Sequence, residues 1–370
     1  MRFPEFTEEW KAEQLDNIAT LSKGIGISKE QLSEDGEPCI LYGELYTKYK
    51  SEIIKQVESK TDINGSKLKR SKANDVIIPC SGETAVDIAT ARCVPFDNIL
   101  FGGDLNVISL HQYDGAFMSY QLNGKRKYDI ARVAQGVSIV HLYGEHLKAI
   151  KTYNPTLPEQ QKIAKLLSLL DDRIDTQNKI IEDLKKLKSA ISERLFKGIE
   201  GSFVLLSDIC DIVKGKQING ENLSESGNYY VMNGGTEPSG YYGDYNVDAN
   251  AISISEGGNS CGYVQFNTSP FWSGGHCYSI QNIADNVNNL YLYHYLKSNE
   301  DVIMKLRIGS GLPNIQKKDL AMFKIKVPAI EQQITISTFL SSLERKAEIE
   351  ERIQNAMLKE KQYLLHQMFI

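Results

Sequence analysis

The chain has 370 residues, of which 24% are charged, and a formal net charge of −5. This length allows two to three domains, and the composition is that of a soluble globular chain with no apolar run near the ~18 residues a membrane helix needs. Six cysteines (Cys39, Cys80, Cys93, Cys210, Cys261 and Cys277) are scattered without a C-x-x-C pair, which argues for free thiols in a reducing cytoplasm and against disulfides or zinc.

In chain order, the opening Arg2-Phe3-Pro4-Glu5-Phe6 lacks the basic-then-apolar order of a signal peptide. Residues 1–155 read as a β-rich module. Its segment from Lys48 to Lys72 is basic, carrying Lys48, Lys50, Lys55, Lys60, Lys67, Lys69, Arg70 and Lys72 against Glu52, Glu58 and Asp62. Val76-Ile77-Ile78 reads as a short strand ending in the loop Ser81-Gly82-Glu83, and Asn64-Gly65 and Asn123-Gly124 as hairpin turns. Phe101-Gly102-Gly103-Asp104 is a glycine turn without the strand-helix context of a nucleotide fingerprint. Lys125-Arg126-Lys127 with Arg132 forms a second basic cluster.

Residues 156–200 read as a long helix. Ile163, Leu167, Leu170, Ile174, Gln177, Ile181, Leu184, Lys188, Ile191 and Leu195 alternate spacings of four and three, the stripe of a coiled-coil seam. Thr156 and Glu159 predict a capping box, and Gly198 and Gly201 a stop. Gln177 and Lys188 either fix register or are tolerated in a long seam. At ~1.5 Å per residue, some 40 residues make a rod of about 60 Å.

Residues 201–327 form a second β-rich module. Ala251-Ile252-Ser253-Ile254 reads as a strand ending in Glu256-Gly257-Gly258-Asn259, and Asn219-Gly220 and Asn233-Gly234 as further turns. Tyr229-Tyr230, Tyr241-Tyr242 and Tyr245 sit among Gly and Asn, as in adaptable recognition loops. Leu290–Lys305 departs from the strand pattern and predicts a short helix. Lys305, Arg307, Lys317, Lys318, Lys324 and Lys326 make this module basic as well. Residues 328–370 are the second long helix. Ile336, Leu340, Leu343, Ala347, Met357, Leu364 and Met368 hold one stripe, interrupted by Glu350, Gln354 and Lys361, and Ile349, Ile353, Ala356 and Tyr363 are expected to broaden its apolar face.

The order module, helix, module, helix is a duplication. Eleven of thirty positions from Leu15 to Glu44 recur identically from Leu206, among them Lys23-Gly24 as Lys214-Gly215. Glu159-Gln160-Gln161 recurs as Glu331-Gln332-Gln333 and, one inserted residue later, Leu170-Asp171 as Leu343-Glu344. A lone striped helix cannot bury its stripe, so the two helices are expected to pair. An internal two-fold axis makes them antiparallel, with the modules at opposite ends.

Chemistry is sparse. There is no G-x-x-x-x-G-K-[ST] and no H-E-x-x-H. Asn154-Pro155-Thr156 lacks the second proline and the aromatic of the amino-methyltransferase motif. Cys277 beside His276 has none of the further partners a nucleophile needs. The basic clusters read either as solvated surface or as phosphate contacts. Their presence in both copies, outside the charge-balanced helices, favours contact.

The whole layout resembles the specificity (S) subunit of type I restriction-modification systems. The resemblance covers essentially the full chain. It is carried by Leu157-Pro158-Glu159-Gln160-Gln161-Lys162-Ile163-Ala164, by Val327-Pro328 with Glu331-Gln332-Gln333, and by Arg2-Phe3-Pro4-Glu5-Phe6 with Trp10. Gly309-Ser310-Gly311-Leu312-Pro313-Asn314-Ile315 resembles the turn often found before the second helix; Gln135-Gly136-Val137-Ser138-Ile139 lacks its Leu-Pro, which puts a shared role in doubt. The resemblance implies an α+β fold in which two β-rich target-recognition domains are separated by two long antiparallel coiled-coil helices with pseudo-two-fold duplication. Each domain would read one half of a bipartite double-stranded DNA target. The helices would set the gap and dock two methyltransferase (M) subunits. S-adenosylmethionine would bind those subunits, and ATP and Mg the separate restriction/motor (R) subunits, leaving this cytoplasmic chain non-catalytic, without cofactor and without membrane contact.

Candidate DNA contacts are Lys67, Lys69, Arg70 and Lys72 in the first module and Lys214, Lys216, Asn233, Asn259, Gln265, Arg307 and Asn314 in the second. The alternatives are a single-chain DNA methyltransferase or nuclease with an unrecognised site, and a coiled-coil scaffold with β-rich protein-binding modules.

Overall fold

A computed structural model describes residues 2–64, 67–309 and 311–369. Gly65 of the Asn64-Gly65 turn and Ser310 of the turn before the second helix lie outside these. The chain forms two units: residues up to Asn178 joined by those from Arg352 onward, and Lys179–Glu351.

The first unit contains β1 (Lys11–Gln14), β2 (Ala19–Lys23), β3 (Asp75–Pro79), β4 (Arg92–Val94), β5 (Leu105–Leu110), α1 (Gly115–Asn123), β6 (Lys151–Asn154) and the start of α2 (Leu157–Gly198). β2, β5, β3 and β4 form an antiparallel sheet in that order, and β1 pairs with β6 at the root of α2. Successive side chains of β3 point to opposite faces. Val76 and Ile78 join Met118 and Leu122 of α1 in one core, whereas Ile77 joins Ile40 and Phe101 in another. Both faces are therefore covered, which explains the unbroken apolar run Val76-Ile77-Ile78. The second cover is a small sheet of short strands in which Glu37–Ile40 and Leu100–Phe101 run parallel.

The second unit repeats this with β7 (Ser202–Leu205), β8 (Asp211–Lys214), β9 (Ala251–Ser255), β10 (Val264–Asn267), β11 (Cys277–Gln281), α3 (Asn289–Ser298), β12 (Lys324–Val327) and α4 (Ile330–Gln367). The sheet order β8-β11-β9-β10 matches that of the first unit, and β7 pairs with β12 as β1 does with β6. A parallel pair, Tyr229–Met232 with Trp272–Ser273, again covers the sheet. The helix expected over Leu290–Lys305 is α3 plus a short helix, Glu300–Met304. Its counterpart α1 was not expected from the sequence.

Within each unit, α2 and α4 run antiparallel. In the first, Lys361 bonds Asp171 at 2.6 Å, Gln354 bonds Asn178, and Met368 and Phe369 pack in one cluster with Ile163 and Leu167. In the second, Lys185 bonds Glu351 and Lys188 bonds Glu344, both at 2.6 Å. Every predicted stripe residue of α2 is buried or half-buried. Glu350, Gln354 and Lys361 hold the stripe on α4 rather than break it. The expected broadening is corrected: Ile349, Ile353, Ala356 and Tyr363 are exposed, because they lie off the seam.

Three further expectations are corrected. Asn123-Gly124 ends α1, Asn219 caps a 3-10 turn, and Asn233-Gly234 follows the strand Tyr229–Met232, so none of them closes a two-residue hairpin. Glu159 does not close a capping box; its carboxylate accepts Arg2 Nε and Nη2, both at 2.7 Å, which pins the N-terminal segment. The helix repeat also needs no inserted residue. Gln160 Nε2 donates to Pro155 O and Gln333 Nε2 to Pro328 O, each at 2.8 Å. Their Oε1 atoms accept the backbone N–H of Asp114 and of Asn288, the N-caps of α1 and α3. The two glutamines are thus equivalent, and Glu331 matches Pro158.

Candidate nucleic-acid interface

The repeat recurs at the end of each four-stranded sheet where β2 and β8 finish. In the second unit β8 ends at Lys214 and runs into Gly215. A Cβ here would lie 2.1 Å from Gly274 O, so only glycine lets the two backbones cross. In the first unit β2 ends at Lys23, and a Cβ on Gly24 would lie 1.9 Å from Gly102 O. The Phe101-Gly102-Gly103 turn is therefore one side of a backbone crossing.

Beyond β9, buried Glu256 organises the second unit's sheet end. It accepts Lys214 Nζ at 2.6 Å and the Tyr278 hydroxyl at 3.1 Å, and its backbone carbonyl accepts Ile315 N. Asn314 bridges both Ile308 and Gly257, closing a short loop tipped by Leu312. Asn233 Oδ1 accepts His276 N at 3.1 Å. Lys214, Lys216, Asn233, Asn259, Arg307 and Asn314 therefore come from separate stretches of sequence to one sheet end. The charge of Lys214 is balanced by Glu256. Lys216 and Arg307 are exposed and make no ion pair among the described residues. Gln265 is not in this group; it lies on β10, opposite Ser253, with its side-chain oxygen buried.

In the first unit Lys69 and Arg70 form a two-residue strand beside Leu100–Phe101, which leads into Gly102. Arg70 is committed to Glu37 by two bonds of 2.6 and 3.0 Å, which hold its guanidinium above its usual range. Lys67 and Lys72 are exposed. The sequence reading missed Lys23, whose Nζ sits 5.7 Å from the Tyr143 ring centroid, and His141, whose Nδ1 is 3.3 Å from Ser81 Oγ. The repeat itself marks Lys23, as the counterpart of Lys214. Gln135 and His141 bridge each other as Ile308 and Asn314 do, so the turn lacking Leu-Pro keeps the same closing bridge.

Arg126 and Lys326 are placed away from these ends. Arg126 stacks over Tyr153, and Lys326 Nζ donates to Ile199 O. The Tyr-rich stretch forms packed pairs, Tyr229 with Tyr245 and Tyr242 with Trp272. All six cysteines are free and buried, and burial pushes the Cys277 thiol up to about 11. Among the described residues no His/Cys/Asp/Glu group is arranged to hold a metal, and no helix is long and apolar enough to cross a membrane.

A family model described as "Type I restriction modification DNA specificity domain" matches residues 7–186 and 200–359, one match per repeat. The chain is 32% identical over 145 residues to a protein assigned as a type I specificity subunit in Mycoplasma pneumoniae, covering 39% of this chain and 38% of that one. It is 26% identical over 246 residues to the MjaVIII restriction enzyme specificity subunit of Methanocaldococcus jannaschii, covering 60% and 53%. The matches thus span about two fifths to one half of these relatives' length. A crystal structure of the type I S subunit from M. genitalium superposes with a TM-score of 0.70 at 20% identity, over 100% of this chain and 97% of that one.

Proposed function

We propose, from the premise that this chain belongs to the family of type I restriction modification DNA specificity domains, that it is the sequence-reading subunit of such a system. Each unit's sheet end would lie on one half of a bipartite double-stranded target. Lysine and arginine would grip phosphates while loop-tip Asn, Gln and Arg read base edges. The observation that carries this reading is the duplicated sheet end, with its glycine-under-glycine crossing, terminal lysine and bridged tip loop. Two copies of one reading head match two half-sites better than they match one reaction centre.

α2 and α4 would set the unread gap and dock two methyltransferase subunits. Exposed apolar positions that obey the repeat support this: Leu166 and Ile353 in the first unit correspond to Phe339 and Ile180 in the second. A partner present in two copies needs such matched contacts. Restriction/motor subunits would join that assembly, in the cytoplasm, where free thiols persist.

Methylome sequencing of cells with and without the gene tests the reading. A bipartite adenine-methylated motif should vanish without the chain. Exchanging residues 206–326 for another family member's module should alter one half-site only. An unchanged methylome would refute the proposal.

A further inference from the structure

Each unit holds a short loop whose apolar tip has nothing of its own to cover it. In the second unit Ile308 and Asn314 exchange two backbone hydrogen bonds of 2.8 and 3.0 Å, and Gly258 N donates to Pro313 O at 3.0 Å. Leu312 at the tip is 86% exposed. In the first, Gln135 and His141 exchange bonds of 2.9 and 2.7 Å, and the tip bears Val137 at 97% and Ile139 at 60% exposure. Gly136 and Gly309 stand at equivalent positions with φ of +125° and +97°, a backbone that only glycine adopts readily. Ile139 and Leu312 are likewise equivalent. The duplication has kept the closing bridge, a glycine of positive φ and an aliphatic tip while the flanking sequence diverged.

An aliphatic group held almost fully in water does not stabilise its own fold. Each tip offers one or two side chains, far below the area of a protein-protein contact. Cations lie near each loop: exposed Arg307 flanks one and exposed Lys216 lies at the same sheet end, while exposed Lys23 reaches over Tyr143, two residues beyond the other. A small apolar point with cations nearby suits the base stack of DNA, where side chains wedge between base pairs and are held there by phosphate contacts. The paired backbone bonds matter because a slack loop would fold back rather than separate adjacent bases.

We propose that the Val137/Ile139 and Leu312 tips are wedges that enter the base stack, one in each half-site. The inference rests on the DNA-reading role above and adds the contact through which each unit distorts its half-site. It predicts two local unstacking events, separate from any flipping of the methylated adenines.

The test uses the full chain in complex with its methyltransferase subunits and a duplex bearing the motif found by methylome sequencing. 2-Aminopurine is scanned through positions other than the methylated adenines, and binding is followed by anisotropy. Wild type should brighten 2-aminopurine at one position in each half-site. Leu312→Ser should abolish the signal in one half-site only, with less than about a tenfold loss of affinity, the scale expected for one exposed side chain. Leu312→Met should restore it, and Ile139→Ser with Val137→Ser should silence the other half-site. Bound duplex without brightening in wild type, or Leu312→Ser brightening as wild type does, overturns the wedge and leaves the reading role intact. Unchanged brightening with loss of a methyltransferase subunit from the Leu312→Ser complex would make the tip a protein contact, which also overturns it. No binding to any duplex by the wild-type complex would remove the reading role, and the wedge with it.

Discussion

Lys361 should be the most costly lysine in the molecule to replace. Its ammonium lies on the α4 seam, 2.5 Å from Glu52 and 2.6 Å from Asp171, with its side chain 14% exposed. Asp171 also accepts the Tyr120 hydroxyl at 2.6 Å. Burial works against the ammonium, but the two carboxylates outweigh it and hold Lys361 above its ordinary range, while burial pushes Glu52 up. Lys361→Met leaves two buried carboxylates with Arg92 as a remaining counter-charge to Glu52. Breaking a buried pair from one side costs about 3–5 kcal/mol. For a unit of this size that is on the order of 10 °C in melting temperature. The repeat supplies internal controls. Lys188, the counterpart of Lys361, bonds Glu344 where water reaches both groups, and Lys188→Met should cost less. Lys185, paired with Glu351 on the surface, should cost at most about 1 kcal/mol when replaced. Because the chain forms two units, the readout is urea titration followed by hydrogen exchange in each helix rather than one global melt. Glu52, already pushed up by burial, should take up a proton in the variant, so Lys361→Met should recover stability as pH falls. If Lys361→Met and Lys185→Met differ by less than about 0.5 kcal/mol, or the recovery is absent, the buried-clamp reasoning is wrong.

Other perturbations reach different regions of the fold. Burial pushes His294 down to about 4, so it stays neutral while folded and protonates when unfolded. Its stabilising effect is complete above about pH 6.5 and should fade as pH falls to 4, by roughly 3 kcal/mol in the second unit. His294→Gln, the residue at the equivalent position Gln121, should flatten that slope in pH-dependent urea denaturation. Gln333→Ala should cost roughly 2–4 kcal/mol, because it strands the Asn288 N–H and the carbonyls of Asn286 and Pro328, and should raise hydrogen exchange at the start of α3. On the proposed role of the helices, deleting facing heptads from α2 and α4 removes ~10.5 Å and should shorten the gap by about three base pairs with both half-sites unchanged. Altered half-sites at a constant gap, read by methylome sequencing, would refute that role.

The helices and the repeat were legible because their signals are periodic and long. Ile163 through Leu195 announce one seam, and Lys23-Gly24 with Lys214-Gly215 announces the duplicated sheet end. The α1 helix was not legible, because Phe117, Met118, Tyr120 and Leu122 are all buried and leave no polar stripe to set a period. The Glu-Gln-Gln pattern misled because letters recurred where roles did not: Gln160 and Gln333 share bonds, whereas Glu159 serves Arg2 and Glu331 is exposed. The basic clusters were hard to judge for a related reason. Sequence displays a cation but not its distant partner, such as Glu37 for Arg70, Glu256 for Lys214, or Asp172 and Asp175 for Lys55. Gln265 fell in a strand rather than a loop, a distinction its flanking residues did not signal.

Phe369 packs against Trp10 and Phe117, with ring centroids 6.4 and 5.3 Å apart. A ribosome therefore makes most of the first unit early and supplies its closing helix only after the whole second unit has been synthesised. Until then Ile163 and Leu167 have Phe117 and Tyr120 beside them but lack the cover of Met368 and Phe369. A frameshift far downstream would thus disable the earliest-made unit as surely as a lesion within it.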